Sequence, residues 1–158
     1  KSEKENVYKV NNEFVYKGKD SLNYVSFNKD VYRIVKVDMY RCAYLVKETD
    51  EKIDKQNIEE YENSYTNDNF DEEVRNKLFS DASIISLELY NQTILNNTSY
   101  INMDNNDWIK DNNEYKVMTM NNEFTSVDSA KTYIILKLNG NVTVSGGNGT
   151  QLKPYILN

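Results

Sequence analysis

Lys131-Thr-Tyr-Ile-Ile-Leu-Lys-Leu-Asn139 is the stretch on which the fold turns. Tyr133, Ile134, Ile135, Leu136 and Leu138 form a β-rich apolar run broken only by Lys137, which predicts a strand buried on both faces and so placed mid-sheet. Beyond Asn139 the chain is punctuated as strands and turns. Asn139-Gly140 carries the signal of a tight hairpin, Val142 and Val144 alternate with Thr143 and Ser145, and Gly146-Gly147-Asn148-Gly149 turns the chain again. Pro154-Tyr155-Ile156-Leu157 reads as a short edge strand, its proline at the start, where no ladder hydrogen bond is lost.

The other end of the chain has the same grammar. Val7-Tyr-Lys-Val10 and Glu13-Phe-Val-Tyr16 flank Asn11-Asn12, two residues that tolerate positive φ, so a hairpin is predicted. Asn23 to Phe27, Val31 to Val37 and Cys42 to Val46 extend it into an antiparallel meander over residues 7–47. This meander and the strands of residues 114–158 are expected to share one sheet, because each alone has too few strands to cover its apolar face. Between them, residues 48–113 are predicted to be helices and loops. Glu48 to Asn69 is charged and Asn-rich and reads mostly as surface loop, with room for a short helix at Ile58 and Tyr61. Phe70, Val74 and Leu78 recur at i, i+4, i+8 and predict a helix from Asp71 to Phe79. Ser86 is placed to cap a second helix running to about Leu95. Asn96 to Asn113 is a second loop-rich region, followed by a strand at Tyr115 to Met120 that Asn121-Asn122 turns into Glu123-Phe-Thr. The fold class is therefore α+β: a mostly antiparallel sheet built from both ends of the chain, with two short helices and long Asn-rich loops, in a single domain preceded by a polar linker at residues 1–6.

Composition bounds the function. The chain has 158 residues, enough for one domain that buries roughly 70% of its unfolded surface. Its net charge of −6, with basic residues interspersed, argues against nucleic acid. With no histidine, the usual general base and the usual zinc ligand are both missing, so any catalysis falls to carboxylates. The single Cys42 excludes an intrachain disulfide and sits in an apolar strand pattern, which predicts a buried thiol. Abundant Asn, Lys, Tyr and Ile point to an AT-rich genome, and that coding bias accounts for part of the 13 tyrosines. No apolar run approaches the ~20 residues of a membrane span.

Few stretches carry candidate chemistry. Asp104-Asn-Asn-Asp107 and Asn67-Asp-Asn-Phe-Asp-Glu-Glu73 offer oxygen ligands, but the turn glycine and the bidentate Glu of a calcium loop are missing, so no metal and no cofactor is expected. Gly146 to Gly149 lacks the Lys-Ser/Thr and the helix of a phosphate cradle and reads as a turn. Trp108, the only tryptophan, stands beside Ile109 in polar surroundings and is expected to plug its loop onto the core. Were it instead part of a ligand or partner site, its neighbours there would be Tyr100 and Asp107.

Tyr16-Lys-Gly-Lys-Asp-Ser-Leu-Asn-Tyr-Val-Ser-Phe-Asn28 with Val31-Tyr-Arg-Ile-Val-Lys-Val37 resembles the opening "YxG…NNYVxFN…WRIVxI" of a group of uncharacterised Firmicutes surface proteins. Leu138 to Leu157 resembles the same group's ending, "LKxxVxIxxGDGTxxNPYxI". Tyr32 stands where the group has Trp, Asn148 where it often has Asp, and Ala130-Lys-Thr132 replaces an "RPV" triplet. The resemblance covers under a third of the chain. It implies a noncatalytic extracellular domain on a bacterial cell surface, tethered by an upstream membrane anchor, with a C-type-lectin-like sheet whose termini pair. Its partner would be a protein, cell-wall or host-surface ligand, and its role adhesion, assembly or sensing. The alternatives are a minor pilin-like filament subunit without its N-terminal helix and a carboxylate-based glycosidase.

Overall fold

The computed structural model describes residues 7–16, 21–95, 106–119 and 121–158. Thirteen strands among these residues form one mixed sheet. The first seven are β1 (Val7–Val10), β2 (Glu13–Tyr16), β3 (Tyr24–Phe27), β4 (Asp30–Val37), β5 (Ala43–Glu48), β6 (Ile53–Asp54) and β7 (Ser83–Ile84). The rest are β8 (Asp107–Asp111), β9 (Glu114–Met118), β10 (Phe124–Thr125), β11 (Ser129–Lys137), β12 (Val144–Gly146) and β13 (Tyr155–Leu157). The main path runs β10-β9-β8-β11-β5-β4-β3-β13-β12. The helices are α1 (Ile58–Asn69), α2 (Glu72–Arg75) and α3 (Leu87–Leu89), the last continuing as a π-helical segment, Tyr90–Leu95.

β11 is the hub, as its apolar run demands. Its first half pairs with β6 and, in parallel, with β8, and its second half pairs with β5 and β7. Side chains alternate across a strand. Ile134 and Leu136 therefore enter one core with Leu45, Phe27, Ile58 and Trp108, while Tyr133 and Ile135 enter a second with Val46, Ile109, Met118 and Tyr90. The sheet is built from both chain ends: β5 of the meander pairs β11, and β13 adds to β3. Most pairings are antiparallel; β11–β8 and β13–β3 are parallel.

Asparagine builds the turns. Asn11-Asn12, Asn28-Lys29 and Asn112-Asn113 all have positive φ, which gives the two-residue hairpin turns whose twist matches that of paired strands. Asn139-Gly140 departs from this pattern. Neither residue has positive φ, so the predicted hairpin is not made. The Asn139 amide group instead donates to Asn76 O and Leu78 O, and the chain runs to the far end of the sheet, where β12 pairs β13. The predicted edge strand, β13, consequently lies inside, between β3 and β12. At Gly147, φ is +83° and an added Cβ would lie 2.0 Å from Pro154 O, so only glycine closes this turn.

The central region, residues 48–113, holds three strands that the sequence reading did not place, β6, β7 and β8, and more helix than the two short pieces expected. The largest correction is α1, a 12-residue helix in a segment expected to be mostly surface loop with room for only a short helix at Ile58 and Tyr61. Its buried face is Ile58, Glu62 and Thr66, at i, i+4, i+8, and two of those three are polar. Glu62 Oε2 accepts from Ile84 N at 2.8 Å, while Oε1 accepts from Lys110 Nζ at 2.8 Å and from the Tyr115 hydroxyl at 2.5 Å. Thr66 Oγ1 accepts from Ala82 N at 2.7 Å. Buried polar groups persist where they are hydrogen-bonded. The helix predicted over 71–79 is confined to α2, with Asp71 as its cap accepting from Val74 N, and Ser86 caps α3 by accepting from Leu89 N. Trp108 lies in a strand, not in a loop.

Candidate functional site

A cleft of about 550 Å³ opens between α1 and the segment that leaves β5. Asn57, Tyr61, Tyr65 and Asn69 recur every four residues along the helical segment and line one wall, because residues spaced by four share a helix face. The other wall is Lys47 to Asp54, with Asp30 from β4 and Ile134 at the floor. The tyrosine rings stand edge to face, with centroids 5.7 Å apart, and continue inward through Phe70 and Phe27 to Tyr32 in the core. This aromatic row fixes the helix wall.

The cleft is acidic. Lys47 is tied to Asp30 by an ion pair. Asp50, Glu51 and Asp54 are exposed and make no ion pair among the described residues, and Lys52 alone offsets them. Burial raises the Tyr61 hydroxyl to about 12, with Tyr65 and Asp50 adding to the effect, so it stays a neutral donor. Glu48 also borders the cleft, but strand alternation sends its side chain to the other face of the sheet: it pairs with Tyr133, whereas the cleft-facing Lys47 pairs with Ile134.

On that opposite face lies Asp107, one of the three residues offered by the sequence. It is fully buried, and neither of its oxygens, nor Glu48 Oε2, accepts a hydrogen bond. Burial first, then the charge of Glu48, push the Asp107 carboxyl up to about 8, while Lys131 pulls the other way. Trp108 is 2% exposed and donates from Nε1 to Ile53 O at 2.9 Å. Tyr100 lies outside the described residues, as do the linker at residues 1–6 and Asp104. Asp107 and Trp108 are adjacent in β8 but point to opposite faces and do not converge. Among the described residues no three acidic or thiol groups gather as a metal site, and no helix is long and apolar enough to cross a membrane.

Comparison with protein families, curated proteins and solved structures finds no match to this chain. The cleft residues Tyr61, Tyr65, Asp50 and Glu51 escaped the sequence reading. Their one available signal was the four-residue repeat Asn57, Tyr61, Tyr65, Asn69, which is legible only once the segment is known to be helical.

Proposed function

We propose that the chain is a noncatalytic extracellular domain of a bacterial surface protein, displayed by an anchor upstream of Lys1, and that the α1 cleft is its recognition site. The observation that carries this reading is the cleft itself. Its volume, about 550 Å³, suits a small recognition pocket, and its walls hold two half-buried tyrosine rings and uncompensated acids. Tyrosine supplies broad contact area at little conformational cost. The charge balance selects a ligand with ammonium or guanidinium groups, which would stack on Tyr61 and pair with Asp50 or Glu51. A basic peptide segment of a partner protein has that chemistry. Recognition is favoured over glycoside hydrolysis because the acid displaced furthest, Asp107, is sealed on the opposite face, near Glu48. A glycosidase pair stands about 5–10 Å apart around its substrate.

The test is a peptide array graded in charge, probed with the labelled domain. Retention of basic peptides should weaken with salt and be lost in Asp50→Asn with Glu51→Gln, while the melting temperature of that surface variant holds; Tyr61→Ala should lose retention as well. Absence of retention across the array would refute the recognition site. Hydrolysis of chromogenic glycosides that is lost in Asp50→Asn would refute the noncatalytic assignment. Protease shaving of intact cells should release the domain, and its persistence inside shaved cells would refute the surface location.

A further inference from the structure

Asp107 and Glu48 raise a question that packing alone does not answer: why both oxygens of the buried Asp107 and one buried oxygen of the half-buried Glu48 are left without a donor. The register gives the geometry. Asp107 is level with Lys131, and Glu48 with Tyr133, on opposite sides of β11, so the two acids lie on one face of the strands that flank it, offset by two residues, and each feels the other's charge. The titratable groups around them, among the described residues, are Lys131 and Tyr133 on β11 and Tyr90 on the π-helical segment, with the apolar Met118 beside Asp107 on β9. Lys131 favours the ionised form electrostatically but donates no hydrogen bond to Asp107. Tyr90 spends its hydroxyl on Asn122 Oδ1 at 2.5 Å. Among the described residues no donor reaches Asp107 or Glu48 Oε2, and a proton between the two acids satisfies both, since like charges close together cannot both ionise cheaply.

We propose that Asp107 and Glu48 hold one shared proton and so form a pH-operated clasp, which ties the start of β8 to the end of β5 and lets go when the proton leaves. β8 is joined to β11 by only two register pairs, Lys131 with Asp107 and Thr132 with Trp108, whereas five pairs hold it to β9. The repulsion therefore acts on the weaker seam. The far end of β8 stays fixed, because Lys110 N donates to Ile85 O at 3.0 Å and Lys110 Nζ pairs with Glu62. The motion is a local opening at residues 107 and 108, in the direction of a strand that hinges from its Lys110 end.

Trp108 reports it. As the only tryptophan, next to Asp107 and held on the other face by Ile53 O, it exchanges a dry environment for a wet one if the seam opens. Tryptophan emission and acrylamide quenching are followed on the whole chain from about pH 5.5 to about pH 9. The wild type should show a reversible red shift and a rise in quenching with a midpoint near pH 8. Asp107→Asn and Glu48→Gln each place a permanent amide donor opposite the remaining carboxylate and should hold the clasp shut, flattening the curve. If one variant fails to fold, the other carries the comparison. Amide exchange at Asp107 and Trp108 should accelerate across the same interval in the wild type only. A flat wild-type curve, or the same transition in a folded variant, would overturn the proposal.

Discussion

Removing Glu62 should cost this domain a large share of its stability although no apolar contact of note is lost. Glu62→Ala leaves Ile84 N, in a strand residue that is 1% exposed, without its acceptor; an orphaned buried donor costs about 1–3 kcal/mol. The variant also loses two bonds to a charged acceptor, from Lys110 and Tyr115, each about 1.5–3 kcal/mol when fully buried. The Lys110 side chain is 30% exposed and regains water, so its share falls toward the surface value of about 0–1 kcal/mol. The Tyr115 hydroxyl, half-buried, recovers part of its share in the same way. The total is about 3–5 kcal/mol, comparable to breaking a buried ion pair, and about a third of the roughly 5–15 kcal/mol available to a domain. At about 2–4 °C per kcal/mol, the melting temperature should fall by roughly 6–20 °C. Urea denaturation should show a lower midpoint at an unchanged slope, and Glu62→Gln, which keeps one oxygen for Ile84 N, should lose about half as much. A loss below about 1 kcal/mol in Glu62→Ala would refute the claim that this carboxylate seats α1, and would leave Ile58 and the aromatic row to do so.

Three further outcomes are expected. Trp108→Ala should cost about 3–5 kcal/mol by denaturation, as large-to-small core changes do, and native Trp108 emission at neutral pH should be blue-shifted; strong acrylamide quenching there would contradict its burial. Gly147→Ala should cost more than about 1 kcal/mol, because φ is +83° and the new Cβ would meet the Pro154 carbonyl, and an unchanged denaturation midpoint would show that the turn can relax. The Asp107 carboxyl, raised to about 8 when folded, keeps a proton that the unfolded chain releases near pH 4, so its contribution is fully present below pH 4 and is lost as pH rises to about 8. The slope approaches about 1.4 kcal/mol per pH unit within that window, to be read from denaturation midpoints across pH, and Asp107→Asn should remove it.

The residues that announce themselves by pattern were legible without the structure. The unbroken apolar run in β11 could only be satisfied by neighbours on both sides and cover on both faces, and it has them. Asn11-Asn12 and Asn28-Lys29 could only be turns, because their backbone needs a conformation that most residues avoid. The union of the two chain ends in one sheet followed from counting strands against the apolar face that each end had to cover. What the sequence could not disclose is where satisfaction comes from a distant partner. Glu62 reads as a solvated charge on a polar segment until Ile84, Lys110 and Tyr115, 22, 48 and 53 residues away, are brought to it. The same holds for Asp107, an acid in an Asp-Asn run whose neighbour Glu48 becomes visible only when β11 lies between them. Asn139-Gly140 shows the reverse case, in which a strong local hairpin signal yields to hydrogen bonds offered by Asn76 and Leu78. Hydrophobic periodicity records which faces must leave water, and turn residues record which backbones can bend. Polar burial leaves no periodic trace, because its compensation is supplied by tertiary contacts alone.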